Sequence, residues 1–381
     1  MSTDRVNTGP ADTCPPETDT VTTRQTNTLT IRRGGRTAAW SGVGAGVAVV
    51  VLAYLPFAVF TSTTQTLVTF FELVTMASMW NLLAGYAGLV SVGQQAYVGL
   101  GAYAVLAFSD WGVQPYLGVF LAALFCAVIA LPTSLLAFRL RGDYFAVGTW
   151  VIAEVYHLAV TRDTALGGGS GRALTTLSGF DPTLREAITY WVALVVATLS
   201  VAGCYLLLRG RLGLALTAVR DDERAANASG VDVTRAKRVV YLVAAAGGGA
   251  SGGVILVSQL NVAPDSIFSV QWTAYMIFIV VIGGIGTIEG PVLGAIVFTV
   301  VQRLFASAGV WYLILLGAMA IGAAVWLPRG LWGLASSGRL RVSLFPVGYT
   351  VTLTGPAPPA GPAGPAPPPP AHQEPDLESS G

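Results

Sequence analysis

Between residues 41 and 327 the chain alternates long apolar runs with short polar breaks. The runs cover 41–60, 64–83, 91–109, 113–137, 144–161, 188–208, 239–260, 270–287, 291–306 and 310–327. Each comes close to the roughly 20 residues that a helix needs to cross hydrocarbon. The pattern therefore predicts an all-α, polytopic transmembrane helical bundle of about ten spans. Glycines punctuate 91–109 and the 270–306 pair, where broken or re-entrant helices are expected. Irregular backbone at membrane depth needs protein or a water-filled cavity around it.

Residues 1–39, rich in Thr, Asp, Pro and Arg, have no apolar core and predict a disordered tail. No short apolar stretch follows Met1, so no secretory signal is expected. Residues 331–381 read as a second tail, Pro-, Ala- and Gly-rich from 355 onward with an acidic end. The body is 40–330, interrupted by one large charged loop, 209–238. With the N-terminus inside and ten alternating spans, 17 of the 21 Lys and Arg fall on the inner side. Only Arg162, Arg172 and Arg185 fall outside, and Arg303 lies within a span. The positive-inside rule thus places both tails in the cytoplasm.

Composition narrows the function. The chain is 53% hydrophobic and 11% charged, whereas soluble domains are about 25% charged, which excludes an ordinary soluble enzyme. A net charge of +1 offers no basic surface to nucleic acid. Cys14, Cys126, Cys204, His157 and His372 show no metal-ligand spacing, so neither a metal nor another cofactor is expected. The single lysine, Lys237, follows Thr234-Arg235-Ala236 and does not complete a phosphate-cradling G-x-x-x-x-G-K-[ST] loop. If ATP powers this protein, another chain holds the nucleotide, and the chain itself is not expected to be an enzyme.

Three stretches carry candidate chemistry. The first runs from Asn81 to Tyr103 and includes Gly85, Tyr86, Gly88, Ser91, Gly93, Gln94, Gln95, Tyr97, Gly99 and Gly101. Two adjacent glutamines at membrane depth are costly unless they are paired or face water. Helix-packing glue and the lining of a translocation path (Gln94, Gln95, Tyr97) both fit. The second is Gly283-Gly284-Ile285-Gly286-Thr287-Ile288-Glu289-Gly290-Pro291-Val292-Leu293-Gly294-Ala295, where the small-xxx-small spacing of Gly286, Gly290 and Gly294 predicts close helix packing. The third is the charged loop. Leu212, Leu216, Val219 and Ala226 share one face at helical spacing, the opposite face is charged, and Gly230 reads as a helix stop. Such an amphipathic helix either stays a solvated loop element or docks in a groove of a partner.

The first run resembles the signature N-L-L-x-G-Y-A-G-x-x-S-x-G-[HQ]-A-x-F-x-G-x-G-A-Y of the membrane permease subunit of branched-chain amino acid ABC importers. Gln95 stands where Ala is usual and Tyr97 where Phe is usual. Leu140–Thr149 is similar to the family's L-R-G-x-Y-x-A-x-x-T segment, and Gly283–Ala295 to its G-G-x-G-[ST]-x-x-G-P-x-x-G-A segment. The resemblance covers about 64–330. It implies the ABC importer permease fold in a prokaryotic plasma membrane. It makes the segment with Arg220, Asp221, Asp222, Glu223, Arg224, Ala225 and Ala226 the coupling helix that docks on a separate ATPase subunit. Implied partners are ATP-binding cassette ATPase subunits, a second permease subunit, an extracytoplasmic substrate-binding protein and the lipid bilayer. The implied cargo is a branched-chain or other small aliphatic amino acid, with urea or short amides as the alternative within related subunits.

Charged groups within spans leave a different reading open. Glu154 and His157 share a helix face at i, i+3, and Glu72 stands alone mid-span. A carboxylate at the bilayer centre costs about 2.5–3.5 kcal/mol on insertion scales, so Glu154 is expected to face the bundle interior or water, or to be protonated. It is either a structural hydrogen-bonding group or part of a path or proton relay, the latter as in an ion-coupled secondary transporter. Gly167–Gly171 lacks a following Lys-Ser/Thr and reads as a flexible outer loop.

Overall fold

The computed structural model describes residues 28–32, 36–57, 61–140, 142–305, 311–327, 330–337 and 350–354. The helices are α1 (Arg36–Tyr54), α2 (Thr61–Asn81), α3 (Gln95–Asp110), α4 (Pro115–Ala137), α5 (Asp143–Arg162), α6 (Pro182–Arg209) and α7 (Arg211–Asp221). They continue as α8 (Glu223–Ala228), α9 (Val233–Gln259), α10 (Pro264–Ile267), α11 (Val270–Gly283), α12 (Gly290–Leu304), α13 (Trp311–Trp326) and α14 (Gly330–Ser337). Proline opens α4, α6 and α10 and stands in the first turn of α12, where its missing N–H costs no helical bond.

Each of the ten expected stretches holds a helix. Six segments of the described residues are long and apolar enough to cross a membrane: Thr63–Tyr86, Pro115–Ala137, Pro182–Arg209, Val233–Gln259, Pro264–Gly283 and one beginning at Ile314. Of the other expected spans, α3 and α12 are shorter and α5 is less apolar, so the figure of ten goes beyond what the helices themselves establish. The stretch 91–109 is shortened because Gly88, at φ 67°, turns the chain and helix resumes only at Gln95. The 270–306 pair is two helices broken at 284–289, as its glycines lead one to expect.

The interior is built on α2 and α9, whose spanning windows are 83% and 78% buried, against 33% for α4 and for α6. α9 packs on α3 and α4, while α2 packs on α6, α9, α11 and α12. Small residues make the α3–α9 approach possible. A methyl added at Gly252 would overlap the Val98 backbone, and one at Gly101 the Gly249 backbone. Larger side chains fill the remaining space, with Tyr97, Tyr190, Phe298, Leu256 and Ile255 fully buried.

The amphipathic segment is two helices rather than one. Asp222 leaves helical geometry at φ −154° and its carboxylate accepts from the Arg224 and Ala225 amides, ending α7 and starting α8. Gly230, at φ 84°, follows α8 as expected. The loop 163–181 is not a flexible tether. Its Arg172–Ala173 (β2) pairs antiparallel with Asn261–Val262 (β3), and the Arg172 guanidinium donates twice to Asp110, at 2.6 and 2.8 Å. Asp181 caps α6 by accepting from the Thr183 hydroxyl and amide, which holds its carboxyl below the usual range.

The expected tail beyond 330 contributes α14, which packs on α11 and α12. The apolar run Gly330-Leu331-Trp332-Gly333-Leu334 accounts for it. Separately from the helical body, Thr28–Arg32 pairs antiparallel with Thr350–Thr354 as a two-stranded ribbon. Both strands alternate threonine with apolar residues, the period-two signature of a strand. Residues 1–27 and 355–381, most of both expected tails, lie outside the described residues.

Candidate functional site

Functional candidates gather at two ends of the bundle with a buried polar seam between them. At the end that carries α10, a cleft of about 650 Å³ opens between α2, α9, α11 and α12. Its walls combine Leu73, Ile267, Trp272, Tyr275 and Phe298 with the polar groups of Thr69, Gln259, Asp265 and Gln302. Such a mixture suits a small ligand with one apolar and one polar end. The Asp265 carboxylate is 84% exposed and lies 3.1 Å from His157 Nε2, whose Nδ1 is 3.2 Å from Glu154. His157 stacks on Phe268 with ring centroids 5.5 Å apart.

Glu154 therefore sits apart from Gln94, Gln95 and Tyr97. Its side chain is 56% exposed on the outer face of α5, among exposed Val147, Val151 and Leu158. Of the alternatives expected for Glu154, the bundle interior is not the one it takes, because α5 is a peripheral helix that buries only Phe145, Thr149, Ala153 and Val160. Hydrogen bonding to His157 meets part of the carboxylate's demand instead.

Gln94, Gln95 and Tyr97 come together where α3 begins, all at most 2% exposed. The Thr273 hydroxyl of α11 donates to the side-chain Oε1 of Gln95 and accepts from the Gln95 backbone N–H. Tyr97 donates to the Tyr241 hydroxyl of α9 at 3.0 Å. Gln94 differs, since its Nε2 has no hydrogen-bond partner among the described residues although it is buried. Glu72, 5% exposed on α2, likewise keeps one carboxylate oxygen without a partner. α11 divides seam from cleft: Gln271, Trp272 and Tyr275 face the cleft while Thr273 bonds Gln95.

At the opposite end, the first and second sequence motifs form one clasp. After α2 the chain makes a single turn of π-helix, Leu82–Tyr86, a form often found at functional sites. The Asn81 side chain accepts from the Gly286 amide at 2.8 Å and donates to the Thr287 carbonyl at 2.7 Å. Gly85 is a necessity here, because a Cβ would stand 2.5 Å from Asn81 Oδ1 and 2.6 Å from the Gly286 nitrogen. The turn 284–289 needs positive φ at Gly284 and Gly286. Its Thr287 hydroxyl caps α12 by accepting from the Gly290 amide. Gly283, Gly290 and Gly294 then let α11 and α12 touch through backbone atoms, and Gly93 does the same against Thr149 of α5.

The charged helix pair adjoins this clasp. Leu216, Val219 and Ala226 are buried, so Ala226 packs inward on Val219 and Val233 rather than lying on an outer surface. Arg220, Asp221, Asp222, Glu223, Arg224 and Ala225 are exposed, Arg220 with 45% of its side chain. Lys237 donates to Glu223 at 2.7 Å, pinning α8 to α9. Arg220 donates to the Gly85 carbonyl at 3.0 Å.

Sequence reasoning passed over Tyr241, Asp265 and Thr273. Thr273 and Gln271 were visible as polar interruptions of an apolar run, whereas Asn81 stood at the head of the first motif but its partner, 205 positions away, left no local trace. Among the described residues no group of His, Cys, Asp and Glu could hold a metal ion.

Comparison with known proteins bears on this arrangement. The chain is 28% identical over 278 residues to the high-affinity branched-chain amino acid transport system permease protein LivM of Salmonella typhimurium, and equally to that of Escherichia coli. Each alignment covers 66% of this chain and 65% of the relative. A probable branched-chain amino acid transport permease protein LivM of Methanocaldococcus jannaschii is 22% identical over 280 residues, 61% of this chain and 81% of the relative. No solved structure shows a significant match. Residues 62–324, from α2 to α13 and so through cleft, seam, clasp and helix pair alike, match the family described as branched-chain amino acid transport system / permease component. This multi-pass membrane chain belongs to that family of transport permeases, which are not enzymes.

Proposed function

We propose that the chain is the membrane-spanning subunit of an ATP-binding cassette importer, carrying branched-chain or other small aliphatic amino acids and driven by separate ATPase subunits. The observation that carries this reading is the α7–α8 pair. It buries Leu216, Val219 and Ala226 against its own chain and leaves Asp221, Asp222, Glu223, Arg224 and Ala225 exposed. A charged, solvent-facing surface on an anchored helix is what a docking partner can grip. The distribution of basic residues supports this end lying in the cytoplasm and the cleft at the outer face. There Asp265 would meet the ammonium group and Leu73, Trp272 and Phe298 the aliphatic side chain of the cargo. An extracytoplasmic binding protein would deliver it, and a second permease chain would provide the other half of the complex.

The test is affinity purification from the native membrane in mild detergent, with mass spectrometry of what copurifies. The expected result is an ATPase carrying a phosphate-binding loop together with a second permease. A chain that purifies alone, with residues 209–238 intact, refutes the proposal. It would favour an ion-coupled carrier, for which the Glu154–His157–Asp265 chain of hydrogen bonds is the supporting observation. Competition of uptake by leucine but not by urea separates amino acid cargo from short amides.

A further inference from the structure

The Gly85 carbonyl ends a helical run, where the last carbonyls lack intrahelical partners. The Leu89 amide, which would bond it in a continuing helix, goes to Leu83 instead. The partner that Gly85 does have is Arg220 Nη1, at 3.0 Å, from a different helix 135 positions along the chain. A cation at a helix C-terminus also meets the negative end of the helix dipole. The same nitrogen lies against Gly286, where a Cβ would stand 3.3 Å from it. Asp221 holds the guanidinium from the other side, its carboxylate 3.6 Å from Nε. Arg220 thus occupies a notch made by Gly85 and Gly286, and Asn81 closes that notch by bonding the 286–287 backbone.

We propose that Arg220 is a positioning residue that ties the α7–α8 pair to the two non-helical turns, 82–88 and 284–289, rather than part of the surface that a partner grips. The inference rests on the importer reading and deepens it. A rigid shift of α7 pulls on the Gly85 carbonyl, and through Asn81 the pull reaches the turn between α11 and α12, the helices that line the cleft. Packed elements move as units in transitions of this kind, so one bond at the junction decides whether movement of the pair reaches the far end. Gly286 leaves the space in which the guanidinium lies, and Gly85 lets the turn 82–88 come against the turn 284–289. Asp222 and Arg224, which take no part in the notch, remain for the partner.

The experiment compares the wild-type complex with its R220A, R220K and N81S variants in lipid nanodiscs and vesicles. Three quantities are read: ATPase recovered per permease, ATP hydrolysed, and amino acid taken up per ATP. For R220A the expected result is ATPase recovery equal to wild type with uptake per ATP lowered at least about tenfold, a coupling loss of about 1.4 kcal/mol or more. R220K, which still donates to the Gly85 carbonyl, recovers uptake per ATP to within about threefold of wild type. Loss of the ATPase in R220A overturns the proposal and returns Arg220 to the docking surface. An unchanged uptake per ATP also overturns it. If R220A does not assemble, N81S decides, because it leaves Arg220 and the outer surface of α7 intact: a lowered ratio supports the tether and an unchanged one refutes it. A wild-type chain that recovers no ATPase refutes the importer reading itself, a result distinct from either of these.

Discussion

Replacing Gly252 by alanine tests what holds the centre of the bundle. The added methyl lands 2.7 Å from the Val98 carbonyl carbon and 3.0 Å from the Ala102 nitrogen, with the Val98 oxygen nearer still. All three are backbone atoms of α3, so no change of rotamer relieves the overlap. Ordinary contact begins at 3.4 Å, and reaching it from 2.7 Å parts the two helices by at least about 0.7 Å. That opening is felt along the whole seam, since Gly101 lies on the Gly249 backbone and Gly253 on Val105 and Val119. Overpacking costs about 1–3 kcal/mol, and an obstacle made of backbone places this case near the upper end, about 3 kcal/mol. Gly203 of α6 is the control, because nothing lies within 4 Å of the place its methyl would take. There alanine is neutral or stabilising by about 0.5–1 kcal/mol, as glycine is the poorer helix former. The assay is unfolding of the purified chain by sodium dodecyl sulfate in mixed micelles, followed by tryptophan fluorescence. A Gly252→Ala variant within about 0.5 kcal/mol of wild type, or a Gly203→Ala variant that loses as much, would refute the argument that close backbone approach holds α3 to α9.

Two further substitutions separate packing from function. Gln95→Leu leaves the Thr273 hydroxyl without its side-chain partner and is expected to destabilise the chain by about 1–3 kcal/mol. Gln94→Leu, at a side chain whose Nε2 has no partner, is expected to leave stability unchanged or raised while lowering uptake; wild-type uptake would make Gln94 a packing residue. Asp222→Ala removes the cap of α8, and the loss of about 1 kcal/mol should appear as faster hydrogen exchange at the Arg224 and Ala225 amides. Unchanged exchange there would mean that α8 is held by Ala226 and the Lys237–Glu223 pair instead.

The positions of the helices were legible because apolar length is a local property. Places where one residue answers to a distant one were not. The split between α7 and α8 turns on Asp222 taking cap geometry, although D-E-R-A-A is a readable start signal once the preceding run is allowed to end. Glu154 looked interior because charge in a span argues for burial. Its helix turned out to be peripheral, a fact set by which partners α5 finds and not by its own pattern. Ala226 shared a motif with the exposed charges yet packs inward on a small apolar hollow, while Arg220 stays partly exposed and bends one guanidinium nitrogen back to a free carbonyl. The ribbon of 28–32 with 350–354 was written in alternating threonines, but tail composition drew attention away from it.

The most buried of the spanning helices, α2, is also the least apolar of them, while α4, only a third of which is buried, is the most apolar. Helices partition from the translocation channel into lipid according to their own apolarity. α2 carries Glu72, Thr75, Ser78 and Asn81 into the membrane, and it is synthesised well before α6, on which it packs most extensively, and α9 have left the ribosome. During that interval a helix with a polar flank has no permanent companion. The order of helices along the chain therefore imposes a waiting period on biogenesis, in which α2 must be sheltered at the channel or by a membrane chaperone. A nascent chain halted after α5 is the species that cellular quality control would meet first.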